Sequence, residues 1–385
     1  MERKDCPGRR GKEADRLPDV GGGWQNGFRL AMTIAGTTIG AGFASGREIW
    51  EFFTVYGVVS LQGIVLFAGL FMLCCWLLLG ISWHVRGSSY ADVLARFLPP
   101  KIATLYDGLL LVYLFSLSVV MFAASGAIFQ DQGRPFTIGV LLMAVAVFGG
   151  LLFNVQGLLT LNSWVTPLLS GLLVVIAAGF IADQLAAGAV VDPDMEGGAV
   201  MVNPSSYGAW ASAIVYTAFN LLPMVGVLTA SAATCTHPRQ LLLGTWLGGL
   251  LLGGLAALVN SALLLLPKAA VQQEMLLLEL AAALPLRIDG LVSLILWLAV
   301  FTTALSCMYG LAGRLSAVRF LPYPLTVGLL VLSVMPCSYF GFATLVKILY
   351  PIYGIASLFF VGCLLMAPLR GPTRGLDRPT PPAGR

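Results

Sequence analysis

Ala31-Met-Thr-Ile-Ala-Gly-Thr-Thr-Ile-Gly-Ala-Gly-Phe-Ala-Ser-Gly-Arg-Glu48 is the stretch on which the reading of this chain turns. It starts as an apolar helix and leads into a second one, Glu48-Ile-Trp-Glu-Phe-Phe53. Between them Gly36, Gly40, Gly42 and Gly46, joined by Thr37, Thr38 and Ser45, form a run too rich in glycine for a regular helix. Each interior Gly costs a helix roughly 0.5–1 kcal/mol relative to Ala. Inside a bilayer, backbone freed from a helix is tolerated only against protein or a watery cavity. An interruption in mid-membrane therefore predicts a binding site. Exposed N–H groups of the second half-helix suit an anion, and exposed carbonyls of the first suit a cation. The four-residue spacing of Gly36 and Gly40, and of Gly42 and Gly46, also fits a small-xxx-small helix contact that needs no ligand. The hydroxyls among the glycines, and Arg47 and Glu48 directly after them, favour binding.

Composition places this stretch in a membrane. The 385 residues are 58% hydrophobic and 10% charged, with mean hydropathy +0.88, whereas a soluble domain carries about 25% charged residues. Ten stretches meet the requirement of ~20 mostly apolar residues per span. They run approximately over 25–55 (interrupted), 58–83, 103–130, 136–154, 158–182, 208–233, 240–266, 288–313, 320–336 and 340–368. Residues 268–285 mix apolar and polar positions and suit a surface helix better than a span. Residues 1–23 and 369–385 read as disordered tails, and the seven cysteines show no disulfide or metal spacing.

Lys and Arg orient the spans. With the N-terminus inside, the cytoplasmic side collects the basic residues of both tails with Arg86, Arg96, Lys101, Arg239, Arg314 and Arg319. The outside holds Arg134, Lys268 and Arg287, and the loop 184–206 carries Asp192, Asp194 and Glu196 without a base. Both tails are thus expected in the cytoplasm, with the protein in the plasma membrane.

A shift of 182 residues lays the third span on the eighth, with Asp107-Gly-Leu on Asp289-Gly-Leu. The same shift lays Gly36-Thr-Thr-Ile-Gly-Ala41 on Ala218-Phe-Asn-Leu-Leu-Pro223. Five spans per half means that the halves enter the membrane from opposite sides. The expectation is two inverted five-helix repeats, 24–183 and 207–368, with both the first and the sixth helix broken. In the sixth, Asn220 and Pro223 would do the breaking, since proline lacks an N–H and clashes one turn back. Two broken helices at matching positions point to a midplane site.

Ala299, Thr302, Thr303 and Ser306 share one face of the eighth span. Set against freed carbonyls, they would make a hard-oxygen site for a small cation; the other reading is that the hydroxyls bond carbonyls of their own helix. Arg47, Glu48 and Glu51, just past the break, read as a gate pairing across the outer mouth or as solvated charges, and Lys347 in the tenth span as paired or titrating. Tyr113, Ser116 and Tyr216 would line a pocket or simply pack. Asp107 and Asp289, at span starts, read as helix caps. His84 and His237 have no metal-ligand spacing, and no enzyme or nucleic-acid signature is present.

Ala35-Gly-Thr-Thr-Ile-Gly-Ala-Gly-Phe-Ala-Ser-Gly-Arg-Glu-Ile-Trp50, with Lys347-Ile-Leu-Tyr-Pro351, resembles the motifs of the YkvI-type membrane proteins. That family is grouped with the amino acid–polyamine–organocation superfamily, and the resemblance implies a LeuT-like fold. More distantly, the pattern is similar to sodium-coupled amino-acid transporters of that fold. The resemblance implies that backbone at Thr38, Gly40, Ala41 and Gly42 holds a substrate carboxylate. It also implies a sodium site from Gly36 and Ile39 with Ala299, Thr302 and Thr303, and an outer gate at Arg47. The usual acidic gate partner in the tenth span is replaced here by Lys347.

The expectation is an all-α membrane symporter moving an amino acid or similar small zwitterion by alternating access, coupled to Na⁺ or H⁺. Its substrate-binding set is Gly36, Thr37, Thr38, Gly40, Ala41, Gly42, Tyr113, Tyr216 and Asn220. Beyond a bound Na⁺ no cofactor is expected, and the partners are a small molecule and the lipid bilayer. The other reading is a membrane sensor on the same fold that binds an amino acid without moving it.

Overall fold

The computed structural model describes residues 20–85, 93–94, 98–153, 155–188, 208–235, 237–267, 272–284, 289–319 and 322–367. These form helices and turns. The first span comprises α1 (Val20–Thr38), α2 (Ala41–Ala44) and α3 (Arg47–Phe52), followed by a 3-10 turn over Thr54–Val59. Then come α4 (Ser60–Val85), α5 (Pro100–Asp131), α6 (Phe136–Phe153) and α7 (Val155–Ala186). The second half contains α8 (Gly208–Thr234), α9 (Pro238–Leu264), the short α10 (Leu276–Ala282), α11 (Asp289–Arg319), α12 (Tyr323–Ser338) and α13 (Phe342–Met366). Among the described residues, seven helices are long and apolar enough to cross a membrane, and α6 and α12 are shorter apolar helices. This is a multi-pass membrane protein. Apolar side chains such as Val65 (73% exposed), Val145 (71%) and Leu332 (67%) face outward, where a hydrocarbon solvent removes the cost of exposing them.

Packing divides the helices into two groups. In one, α1 lies along α9, and α4 packs on both α8 and α9. In the other, α5 packs against α6, α11 and α12. Ser125 of α5 ties this second group: its hydroxyl donates to the Gly139 carbonyl of α6 (2.7 Å) and accepts from the Trp297 indole of α11 (2.8 Å). The groups are bridged by α7, which touches α9 and α11, and by α13, which touches α8 and α5. The α13 contact is bolted by tyrosines in both directions. Tyr106 of α5 donates to the Ala356 carbonyl (2.7 Å) and accepts from the Phe360 N–H (3.1 Å), so its hydroxyl is wedged into the α13 ladder. Tyr353 of α13 meets Ser116 (2.6 Å) and the Val112 carbonyl of α5 (3.2 Å).

Several expectations are corrected. The sixth span is not broken: α8 runs continuously from Gly208 to Thr234 with Pro223 inside it. Proline removes a single N–H, that which would serve the Phe219 carbonyl. A helix held from both sides, here by α4 and α13, survives that loss. The first helix starts at Val20, inside the stretch read as a tail, and α7 reaches Ala186, past the expected repeat boundary at 183. Of that acidic loop, Asp192, Asp194 and Glu196 lie outside the described residues, as does the tail 369–385. The segment read as a surface helix is largely buried: Leu276, Leu277, Leu278 and Leu280 of α10 point into the protein. Asp107 sits in the second turn of α5 and forms a two-pronged ion pair with Arg314 of α11 (2.6 and 3.0 Å), so it is not a helix cap. Asp289 is the first described residue of α11.

Candidate functional site

The first span breaks where its glycines lie. The α1 ladder ends as the Ile39 N–H donates to Ala35 (2.7 Å) and Gly40 turns back to Thr38 (2.8 Å). One turn of helix follows, and the chain reverses again at Gly46, whose φ of 78° is left-handed backbone that favours glycine. The groups this frees are taken up locally and from outside. The Ser45 hydroxyl donates to the Gly42 carbonyl (2.8 Å) and accepts from the Arg47 N–H (3.2 Å). The Ser45 carbonyl accepts from the Leu277 N–H of α10 (2.9 Å), and the Phe52 carbonyl accepts from the Ser212 hydroxyl of α8 (2.6 Å). Four freed groups have named partners, as buried backbone requires.

Glu48 turns back over the break. It is 5% exposed, and its carboxylate lies so close to Gly42 that any Cβ there would collide with it. The Tyr216 hydroxyl of α8 donates to its Oε2 (3.0 Å). The buried Tyr350 hydroxyl of α13 is beside the same carboxylate, outside hydrogen-bond geometry with any of the described residues. Around these groups is a set of aromatic rings. Phe52, Phe53, Phe67 and Phe219 pack on Tyr216, Phe219 stacks on Tyr350 (4.3 Å), and Tyr113 meets Tyr353 edge-on (5.1 Å). A narrow crevice lined by Tyr113, Ser116, Val120, Tyr350 and Tyr353 adjoins the set between α5 and α13.

Above Glu48 the charges pair. Arg47 and Glu51 form a half-buried i,i+4 ion pair (2.8 Å), and Lys347 adds its attraction to Glu51. Arg47 also reaches the Gln273 carbonyl (3.4 Å), and Glu274 accepts from the Phe342 N–H at the start of α13 (3.3 Å). Burial pushes the Glu274 carboxyl above the ordinary glutamate value, against the pull of that N–H and of Arg47. Residues 273–277 are thus stitched to α3 and α13. The pairing across the mouth expected of Arg47 is not what is found among the described residues: Arg47 pairs with an acid of its own helix and also donates to the Gln273 carbonyl, and Glu274 accepts from the Phe342 N–H. A further polar knot, with Asn260 of α9 between Thr54 and Ser60 (2.8 Å each), fixes the chain where it leaves the first span.

Below Glu48, Gly40 lies over α11, where a methyl on its Cα would stand 4.0 Å from the Thr303 hydroxyl. Thr302 (3.0 Å) and Thr303 (2.9 Å) both donate to the Ala299 carbonyl. Each hydroxyl keeps lone pairs as an acceptor. Gly36 instead packs on Thr166 of α7, and Ile39 is buried in the core. Thr38 is buried and reaches the Met224 sulfur of α8 (3.5 Å), which puts the break beside Pro223. Thr37 is exposed and, among the described residues, bonds back to Thr33 (2.7 Å). Asn220 donates to the Tyr216 carbonyl within its own helix (2.9 Å). Among the sequence candidates, then, Gly40, Gly42, Glu48, Tyr216 and Thr303 come together, and Thr37 stands apart. Phe219, Ser212, Asn260 and Glu274 were not anticipated. An Asn in an otherwise apolar span is a readable signal, while Phe219 has no signal that separates it from packing residues.

No protein-family model matches the chain. Among solved structures, its fold is similar to the inward-facing conformation of Mhp1, with TM-score 0.60 and 13% identity over 89% of this chain and 76% of that one. It is also similar to a mutant of the Eremococcus coleocola manganese transporter, with TM-score 0.56 and 15% identity over 91% of this chain and 81% of that one. The fold is thus LeuT-like, two inverted five-helix repeats with the first helix broken. The uncharacterized membrane protein YkvI of Bacillus subtilis is 26% identical over 88% of this chain and 94% of its own length. The uncharacterized protein YyaD of Bacillus subtilis is 31% identical over 90% of this chain and 98% of its own length, and the chain belongs to the family of YyaD.

Proposed function

We propose that this protein is a secondary active transporter of the plasma membrane, with both termini in the cytoplasm. It moves an amino acid or similar small zwitterion by alternating access, coupled to Na⁺ or H⁺. The observation that carries this reading is the break at Ile39 and Gly40, which opens the first span against Thr303 on one side and the Glu48–Tyr216 pair on the other. Backbone at Thr38, Gly40, Ala41 and Gly42 receives the substrate, and the aromatic set of Tyr113, Tyr216, Phe219 and Tyr350 encloses it. The Ala299, Thr302 and Thr303 oxygens, with first-span backbone at Gly36 and Ile39, receive the cation. The Arg47–Glu51 pair with Lys347 closes the outer side. LeuT-like neighbours that include a manganese transporter support the reading.

Uptake by reconstituted vesicles tests it, with the purified protein first screened by thermal shift against amino acids in Na⁺, K⁺ or choline and at two pH values. Replacing Thr302 and Thr303 with Val removes both hydroxyls at constant volume, and ion-dependent uptake is expected to vanish. Undiminished uptake in the double variant overturns the assignment of that face. Ligand stabilisation without any uptake would make the protein a sensor.

A further inference from the structure

We propose that Glu48 is a proton-carrying site, holding a proton in the conformation described here and exchanging it when the outer end opens. The argument starts from two glutamates on one short helix. Glu51 has its compensation in the Arg47 guanidinium at 2.8 Å and in Lys347. Glu48, one turn deeper, is 5% exposed, and among the described residues no cation comes within 4.0 Å of it. What faces it is neutral: Tyr216 from α8, Tyr350 from α13 and, further off, Tyr113 from α5, with Cys307 of α11 behind the last two. From α9 the buried polar group bonded to the end of the first span is the uncharged Asn260. A lone carboxylate among rings and one phenol donor is among the costliest arrangements a membrane interior can hold. A neutral carboxylic acid fits the same space, since it adds a donor for an oxygen nearby.

The surroundings also supply a route for change. Segment 273–277 docks on the chain just before and at the start of Glu48's helix, where the Leu277 N–H donates to Ser45 and Arg47 donates to the Gln273 carbonyl, while Glu274 accepts from Phe342 of α13. When these part, the carboxylate meets outside water, and a proton passes from hydronium to the carboxylate oxygen, leaving water. Closure carries the neutral acid inward. On the cytoplasmic side the O–H bond breaks, the proton goes to water, and the carboxylate is restored. This makes H⁺ a coupling ion, beside any cation received at Thr302 and Thr303. The coupling role rests on the transport reading above, whereas the protonation of Glu48 does not.

Infrared spectroscopy on the full-length protein in lipid vesicles separates the two. At neutral pH the wild type should show the C=O stretch of a buried protonated carboxylic acid that E48Q lacks. In Y216F, which removes the hydrogen bond to that group, the band should shift in frequency. Should E48Q misfold, the Y216F shift alone decides. Identical bands in wild type and E48Q, or an unmoved band in Y216F, overturn the protonation. For coupling, the probe is a mixture of radiolabelled amino acids. One unit of inward pH gradient drives accumulation by about tenfold for one proton per substrate; that gain is expected in wild type and should be lost in E48Q. Equal gradient-driven accumulation in both overturns the carrier role. No uptake of any amino acid by wild type overturns the transport reading and leaves the infrared result standing.

Discussion

The first and sixth spans occupy matching places in the two halves, yet one is broken and the other is not. In the first, four glycines fall within eleven residues, and loose ends find partners both in other elements, Ser45 with Leu277 and Phe52 with Ser212, and locally, Gly42 with the Ser45 hydroxyl. In α8, Pro223 removes one N–H, while Asn220 and Thr217 turn their side chains back to carbonyls four residues before them, 2.9 and 2.8 Å away. The difference teaches that residues which weaken a helix do not by themselves break it. A break in a low-dielectric core needs both backbone freedom and donors from neighbouring elements to receive what is freed. Gly42 supplies a third condition, space, because the Glu48 carboxylate occupies the volume that any other residue's Cβ would take.

The comparison can be broken most forcefully at Arg47. Its ion pair with Glu51 is mostly enclosed, at 12% and 8% side-chain exposure. R47A therefore removes the hydrogen-bonded partner of Glu51 and leaves only the attraction of Lys347, at a cost of about 3 kcal/mol, the low end for breaking an enclosed pair. Thermal or denaturant unfolding in detergent should show that loss, and R47K should recover part of it. A change within error would mean that the outer half of the first span is not held by charge. Next in size is G42A, where the added methyl meets the Glu48 carboxylate and forces it or α2 to move. Overpacking of this kind costs about 1–3 kcal/mol. The G42A/E48A double variant should be less destabilised than the two single changes together, since the collision partner has gone. Additive losses would show that the two residues do not touch.

How much of this was legible follows the same physics. The spans were readable because long apolar runs have few fates, and the first break was readable because its glycines are concentrated. Thr302 and Thr303 could be placed on one face from spacing alone; the resemblance set Gly36 and Ile39 opposite them, whereas it is Gly40 that lies over Thr303 and Gly36 packs on Thr166. The sixth helix was misread because a proline in sequence shows the lost N–H but not the packing by α4 and α13 that carries the helix through it. Glu48 and Glu51 read alike in sequence. Only tertiary contacts separate a paired charge from one enclosed by Tyr216 and Tyr350, and residues 273–277 likewise give no sign of docking on Ser45 and Arg47.

The smallest effect, and the sharpest on the comparison, is expected from P223A. Alanine restores the N–H that the Phe219 carbonyl lacks, and in an unconstrained helix that replacement is worth about 3 kcal/mol. Here the neighbours have shaped themselves to the proline. Phe219 stacks on Tyr350, and Met224 meets the Thr38 hydroxyl at the break. A straightened ladder would pull both contacts out of register, so the gain and the loss should offset to within about 1 kcal/mol. Uptake should fall even so, because Phe219 and Met224 flank the place where the first span opens. If P223A instead stabilises the protein by the full helical increment and transports as well as wild type, then α8 is only scaffold. The functional asymmetry between the two spans would then be complete, with the first span and α11 alone forming the moving site.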